Sequence, residues 1–186
     1  AVGQVFHRSF AHLLGFAEEN LEMFALGLAG LARLGSRYNL WPPFLWRGTQ
    51  AAVRKVLARM LLRAPSMAEV MLAANWLRGS LVPILFEPPT ADLAHTVING
   101  LGAIPAWLAA RIQGIPLVLT EHGLYLRERY LAFPAEEESP GIKLLRARFY
   151  RSLARLMYTQ ADRVVTVCEF NRQWQLRLGA PAQRTR

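Results

Sequence analysis

Three short apolar segments in the second half of the chain limit the folds that this sequence can adopt. They are ADLAHTVI (91–98), IPLVLTE (115–121) and DRVVTVC (162–168), and a helix-like segment follows each of them. Val, Ile and Thr are typical of β-strands. Apolar strands that alternate with helices form parallel sheets covered on both faces. The sequence therefore predicts an α/β fold with a parallel sheet buried on both faces and flanked by helices.

The first half of the chain instead repeats its apolar residues every three or four positions, as amphipathic helices do. The pattern predicts three helices, over residues 9–35, 49–65 and 66–79, with Thr49 as the N-cap of the second. Ser66 and Glu69 have the spacing of a capping box at the start of the third helix. We expect a helical region (1–80) and an α/β region (81–186) within one domain.

Composition restricts the classes of partner. Just over half of the 186 residues are apolar, and the formal charge is +9, supplied almost entirely by arginine. A basic surface suits nucleic acid, anionic lipid or a phosphorylated substrate, but no nucleic-acid-binding module accompanies the charge, so we expect no nucleic-acid partner. The single cysteine, Cys168, excludes an internal disulfide, and we expect it to be a small buried residue. The apolar run 23–32 is too short to span a bilayer.

The topology rule for open parallel sheets selects candidate site residues without any motif. Ligands bind beyond the carboxyl ends of the strands, where all parallel strands end at one edge. The polar and glycine residues near those predicted ends are His95, Asn99, Gly100, Glu121, His122, Gly123, Cys168, Glu169 and Asn171. We expect them to line one edge of the sheet.

His122 is the best single candidate at this edge. It ends a strand and precedes a glycine, so its imidazole can lie exposed and exchange hydrogen bonds near pH 7. The alternative is a turn histidine that bonds to the backbone. Glu121 is a candidate base or the partner of a nearby arginine. His95 lies among apolar residues, so it is either a ligand or a core histidine.

Two basic clusters have alternative interpretations. Arg127, Glu128 and Arg129 are consecutive on a predicted helix, and neighbours on a helix point about 100° apart, so they cannot all face one ligand. Arg127 could bind an anionic group through two hydrogen bonds, or the cluster could be a solvated face. The basic helix 143–155 is a solvated outer face, or it contacts anionic lipid or a partner protein.

Two longer runs resemble a known family. They are TEHGLYLRER (120–129) and ADRVVTVCEFNRQWQLRLGA (161–180). Both resemble the N-terminal domain of family 4 retaining glycosyltransferases, in the subgroup that includes the Pel exopolysaccharide glycosyltransferase (PelF-type, DUF3492). The resemblance implies a Rossmann-like sheet in the acceptor-side domain of a two-domain GT-B fold. It also implies that this chain is a fragment, and that the donor-binding C-terminal domain lies outside it.

The activity that the resemblance implies belongs to the full-length protein. That protein would transfer a sugar from a nucleotide-sugar donor, UDP-glucose or a related UDP-sugar, to a growing polysaccharide or other glycan acceptor. The anomeric configuration would be retained, with no essential metal and no cofactor. We expect the fragment alone to be inactive, and the protein to be cytoplasmic, with an inner-membrane polysaccharide-synthesis complex as a candidate partner. The alternative is a non-catalytic domain that docks on a membrane assembly through helix 143–155.

The resemblance also implies roles for residues. His122 matches the histidine that the family places near the transferred sugar, and we predict it as catalytic together with Glu121. The predicted substrate-binding residues are His95, Asn99, Gly100, Gly123, Arg127, Glu169, Asn171 and Arg172.

Overall fold

The computed structural model describes residues 2–186. The chain is rich in helix, with 68% of it helical, and contains a small open sheet of three parallel strands, which confirms the predicted Rossmann-like α/β class. The described residues form two compact units. Unit one takes in the chain through Glu87 together with Glu136–Phe149, and unit two comprises Pro88–Ala135 and Tyr150–Arg186.

Unit one is helical. Its elements are α1 (Val2–Leu13), α2 (Leu21–Gly35), α3 (Arg47–Leu61), α4 (Met67–Ser80) and the first half of α7 (Pro140–Gln160). The predicted single helix over 9–35 is wrong, because the chain passes through a 3₁₀ turn at Leu14–Glu18 and reverses at Glu19, which has a left-handed φ of 56°. Asn20 then caps α2 by accepting a hydrogen bond from the Met23 amide at 3.1 Å.

Glycine allows α1 and α2 to approach closely. A Cβ on Gly27 would overlap the backbone of Leu13, and one on Gly30 would overlap the side chain of Ser9. The core beside this helix pair is aromatic, with ring pairs packed edge to face at 5.3 to 5.5 Å among Phe6, Phe10, Phe16, Phe24, Phe44 and Phe149. Such pairs favour one arrangement of the rings over others.

The predicted capping box of the third helix is confirmed. The Ser66 hydroxyl accepts from the Glu69 amide at 3.2 Å, and the Glu69 carboxylate accepts from the Ser66 amide at 2.9 Å. Hydrogen bonds from Arg63 and then from Ser66 lower the pKa of Glu69 to about 2. The carboxylate at the start of α4 is therefore ionised at neutral pH.

The predicted N-cap of the second helix is wrong. α3 begins at Arg47, and the buried hydroxyl of Thr49 donates to the Pro43 carbonyl at 2.7 Å. The Thr49 hydroxyl therefore bonds to the Pro-containing loop, and the helix begins earlier in the chain than predicted.

The basic helix 143–155 is not a uniformly solvated face. Arg146 is buried, and its guanidinium donates to the carboxylates of Glu136, at 2.6 Å, and Glu138. The same guanidinium lies 6.0 Å from the centre of the Trp76 ring. The acidic loop before α7 therefore neutralises part of the basic helix from within unit one.

Unit two contains the sheet. Its strands are β1 (Ala94–Thr96), β2 (Leu117–Glu121) and β3 (Arg163–Thr166), and its helices are α5 (Ile104–Gln113), α6 (Tyr125–Ala132), the second half of α7 and α8 (Glu169–Arg177). The strands are parallel in the order β1-β2-β3, with Leu119 opposite both Thr96 and Val164. Gly114 ends α5 in the left-handed region at φ 69°, a common conformation for the residue that ends a helix.

One face of this sheet is covered and the other is exposed. Each strand is added on the same side of the preceding one, and right-handed crossovers then place α5 and α7 on the same face. The Trp107 indole of α5 accordingly donates to Gln160 of α7 at 2.7 Å. Within the described residues the opposite face exposes Leu93, His95, Val97, Val165 and Val167. The prediction of a sheet buried on both faces is therefore wrong for residues 2–186.

The outer edge of β3 pairs with the last residues of the chain. The Arg186 amide donates to the Val164 carbonyl at 2.9 Å, and the Thr166 amide donates to the Arg186 carbonyl at 2.8 Å. Among residues 2–186, no helix combines the length and the apolar character that crossing a bilayer requires.

Candidate functional site

The carboxyl edge of the sheet brings together most of the residues that sequence reasoning selected. β2 is the central strand, and it ends at Glu121, immediately before His122 and Gly123. The β1–α5 connection carries Asn99 and Gly100, while α8 begins just beyond the end of β3.

Glu121 is the buried centre of this edge. The residue is only 1% exposed. One of its carboxylate oxygens accepts hydrogen bonds from the Tyr158 hydroxyl at 2.5 Å and from the Gln175 side-chain amide at 3.0 Å. The other oxygen accepts from the backbone amide of Tyr125 at 3.4 Å. Glu121 thus joins β2 to α6, α7 and α8, and its prediction as a catalytic residue stays a prediction.

Burial is the largest influence on the pKa values of Glu121 and Tyr158. Loss of water raises the pKa of Glu121, and the hydrogen bonds from Tyr158, Gln175 and the Tyr125 amide oppose that rise. Burial and the neighbouring carboxylate also raise the pKa of Tyr158, so its hydroxyl stays protonated and remains a donor to Glu121.

His122 is exposed, directly after the buried carboxyl group. The Asn171 side-chain amide donates to the His122 backbone carbonyl at 3.4 Å, and Asn171 itself is buried. The turn that contains His122 is therefore held by two hydrogen bonds, one between the Glu121 carboxylate and the Tyr125 amide and one from Asn171 of α8. The imidazole is left facing outward on a supported backbone, where it can exchange hydrogen bonds with a ligand.

Asn99 and Gly100 lie in the β1–α5 connection, next to the first turn of α6. The buried amide of Asn99 donates to the Ala154 carbonyl at 3.4 Å. A Cβ on Gly100 would lie 2.7 Å from the ring of Tyr125, so this position requires the absence of a side chain. The ring packs edge to face on Tyr150, with centroids 5.6 Å apart.

The cluster 127–129 divides between two neighbours, as the helical spacing predicted. The Arg127 guanidinium lies 5.9 Å from the centre of the Phe170 ring on α8, and the Phe170 side chain is exposed. The Glu128 carboxylate instead lies against Gly123, where a Cβ would overlap it. Arg127 is therefore the member of the cluster that extends toward the α8 side of the edge.

Glu169 and Arg172 form an ion pair at the start of α8, 3.2 Å apart. Arg172 also donates from Nε to the Thr185 carbonyl at 3.5 Å. Cys168, which we expected to be buried, is exposed at the N-cap of α8. Cys168 lies beyond Thr166, the last residue of β3, so the burial of that strand does not extend to it.

His95 is not brought to this group. It lies in the middle of β1 on the exposed face of the sheet, opposite to the face that contains Glu121, and its Nε2 is 2.9 Å from the Thr120 hydroxyl. The core-histidine alternative is therefore wrong, and substrate binding by His95 stays a prediction.

Sequence reasoning missed Tyr158 and Gln175. Both are buried and both donate to Glu121. Gln175 follows Asn171 by four residues, so the two share one face of α8, and that spacing could have identified it. Tyr158 lies within the apolar face of α7 and carries no distinguishing local signal. Two acceptors of this group, the amide oxygens of Asn99 and Gln175, are buried without a hydrogen-bond partner among the described residues.

The described residues contain no cluster of His, Cys, Asp or Glu that could hold a metal ion. The arrangement instead provides an exposed imidazole on a turn that a buried carboxyl network supports. Such a site can orient a polar ligand and stabilise developing charge by hydrogen bonding.

Comparison with known sequence families gives a match. The sequence family described as "Domain of unknown function (DUF3492)" matches residues 36–183, which include the whole sheet and the carboxyl-edge residues described above. No curated protein and no solved structure matches the chain.

Proposed function

Because this chain belongs to the DUF3492 family, we propose that it forms the acceptor-side part of a retaining glycosyltransferase of family 4, of the PelF-type subgroup. DUF3492 is associated with glycosyltransferase-like domains. In the proposal, the donor is UDP-glucose or a related UDP-sugar, and the acceptor is a growing polysaccharide or another glycan. Such donors occur in the cytoplasm, which is where the proposal places the protein.

The exposed imidazole of His122 at the end of the central strand is the observation that carries this proposal. The end of a central parallel strand is where open α/β sheets place their ligands. An imidazole there can donate to a sugar hydroxyl or to a leaving phosphate oxygen near pH 7. The protein's contribution would be to position the reacting groups and to stabilise charge.

The other residues of the edge take supporting roles in the proposal. Glu121 holds the turn through the Tyr125 amide and through α7 and α8, so it acts as a positioning residue for His122. Arg127 and Arg172 are the cations of this edge that we assign to an anionic part of a substrate. The remaining predicted contacts are Asn99, Gly100, Gly123, Glu169 and Asn171.

The test is turnover of UDP-sugars by the full-length protein that contains this chain. We expect release of UDP from at least one UDP-sugar in the presence of a glycan acceptor. His122→Ala should lower turnover by at least about tenfold, a loss of roughly 1.4 kcal/mol of transition-state stabilisation. His12→Ala, a change in α1 of unit one, is the matched control and should leave turnover unchanged.

The outcomes test the proposed activity and the proposed role of His122 separately. Unchanged turnover in His122→Ala removes His122 from the mechanism but keeps the glycosyltransferase. Failure of the full-length protein to release UDP from any UDP-sugar overturns the proposed activity. The alternative of a docking domain that uses helix 143–155 is less well supported, because Arg146 is already neutralised by Glu136 and Glu138.

A further inference from the structure

The segment RYNLWPPFLWR, residues 37–47, connects α2 to α3 in unit one and is here called the aromatic loop. Three of its side chains, Leu40, Pro43 and Phe44, are buried. Phe44 packs edge to face on Phe6, with centroids 5.5 Å apart. The loop is therefore anchored inward at its middle, and its other side chains are exposed, although the Trp46 ring also packs edge to face on Phe6.

Those outer side chains are large and apolar. The exposed fractions are 48% for Tyr38, 39% for Trp41, 56% for Leu45 and 39% for Trp46. The four side chains fall within nine residues of one loop, and such a concentration of exposed apolar side chains is a candidate interaction surface. Trp and Tyr combine an apolar ring with a polar group, which suits them to the boundary between lipid headgroups and acyl chains.

The charge around the aromatic loop has one sign along the chain. No acidic residue occurs between Glu22 and Glu69, and the stretch carries seven cations: Arg33, Arg37, Arg47, Arg54, Lys55, Arg59 and Arg63. Arg59 and Arg63 pair with Glu18 and Glu69 respectively. Arg37 and Arg47, at the two ends of the loop, are exposed.

A further cation reinforces the loop from α4. The Arg78 guanidinium lies 4.7 Å from the centre of the Trp41 ring, a cation–π arrangement that brings positive charge directly to the aromatic surface. Anionic lipid headgroups are complementary to this combination of arginine and aromatic side chains, because polybasic segments bind them by charge and aromatic rings insert beside them.

We propose that the aromatic loop docks unit one on an anionic lipid surface. Tyr38, Trp41, Leu45 and Trp46 enter the headgroup region, and Arg37 and Arg47 bind lipid phosphates. This surface differs from helix 143–155, the membrane-docking element that the sequence suggested. The proposal does not depend on sugar transfer, and its test requires no enzymatic activity.

The test is co-sedimentation of the protein with vesicles. We expect binding to vesicles of phosphatidylcholine containing phosphatidylglycerol, and much weaker binding to phosphatidylcholine alone. Binding should weaken at high salt, because the Debye length falls from about 10 Å at 0.1 M to about 3 Å at 1 M. The double variant Tyr38→Ser, Leu45→Ser should need at least about tenfold more lipid for half-maximal binding, since both side chains lose their burial in the interface.

Matched controls separate this loop from general apolarity and charge. Leu62→Ser with Leu72→Ser removes two exposed leucines from elsewhere in unit one and should leave binding unchanged. Arg37→Gln with Arg47→Gln should weaken binding, whereas Arg163→Gln with Arg186→Gln, the same loss of charge in unit two, should not.

Two results would overturn the proposal. The first is equal loss of binding in the loop variant and the leucine control, which would make the effect nonspecific. The second is failure of the wild-type protein to bind anionic vesicles at all, which would leave the aromatic loop to a protein partner. Circular dichroism of each variant establishes that a loss of binding is not a loss of folding.

Discussion

At the scale of single residues, the carboxyl edge depends on one buried acid. Glu121 ends the central strand and accepts hydrogen bonds from a hydroxyl, a side-chain amide and a backbone amide. A buried carboxylate is costly unless such donors surround it. The consequence for function is indirect, because the group that faces outward is the next residue, His122.

The raised pKa of Glu121 predicts a specific pH dependence. A carboxyl whose folded pKa lies above its ordinary value of 4.5 contributes stability below that value and loses it as the pH rises through the folded pKa. Glu121→Gln has no such titration and nearly the same shape. The free energy of unfolding of the wild type, minus that of the variant, should therefore fall as the pH rises above 4.5. The slope should be up to roughly 1.4 kcal/mol per pH unit within that window.

Urea unfolding at several pH values from 4.5 to neutral measures this difference. Glu22→Gln, at an exposed carboxyl of α2, is the control for the removal of one carboxyl group elsewhere in the chain. A difference between wild type and Glu121→Gln that stays constant or grows with pH would contradict the assigned environment of Glu121.

At the scale of elements, glycine determines how closely the β1–α5 connection approaches α6. Gly100 has φ −148°, an extended conformation open to any residue, so its requirement is steric. The Tyr125 ring that occupies the space of a Cβ is itself packed against Tyr150. The ring therefore has little freedom to move aside.

Gly100→Ala should destabilise the protein by about 1–3 kcal/mol, the usual cost of overpacking. Gly79→Ala provides the opposite control, because nothing lies within 4 Å of its Cβ position in α4. That change should stabilise the helix by roughly 0.5–1 kcal/mol through the better helix propensity of alanine. Urea midpoints that move in the same direction for both variants would count against the close packing at Gly100.

At the scale of the whole molecule, the sheet of unit two has two chemically different faces. Both crossover connections are right-handed and both run in the same direction across the sheet, so α5 and α7 lie on the same face. In the described residues that face is buried and the other is exposed. Adjacent residues of β3 illustrate the difference, with Val164 0% and Val165 40% exposed.

Substitution of these two valines by threonine tests the layer arrangement, because the side chains are nearly isosteric. Val164→Thr buries a hydroxyl and should cost about 1–3 kcal/mol. Val165→Thr should change the free energy of unfolding by less than about 0.5 kcal/mol, as exposed substitutions do. Thermal or urea unfolding compares the two directly. Equal costs would mean that the second face is covered in the protein.

Features that arise from neighbouring residues could be predicted from the amino-acid sequence. These include the capping box at Ser66, the three strands and the different neighbours of Arg127 and Glu128. Each depends on hydrogen bonds or backbone preferences within a few positions. The same locality allowed the polar edge of the sheet to be selected, since parallel strands share one carboxyl edge.

Which side chains surround that edge depends on how the helices pack against the sheet, and the sequence did not predict it. Tyr158 and Gln175 reach Glu121 from 37 and 54 positions away, and their local sequence patterns resemble those of ordinary helices. Burial of Arg146, exposure of His95 and the single covered face depend likewise on which elements pack together. Burial and long-range hydrogen bonding are properties of the packed chain, so the spacing of residues along one element does not predict them.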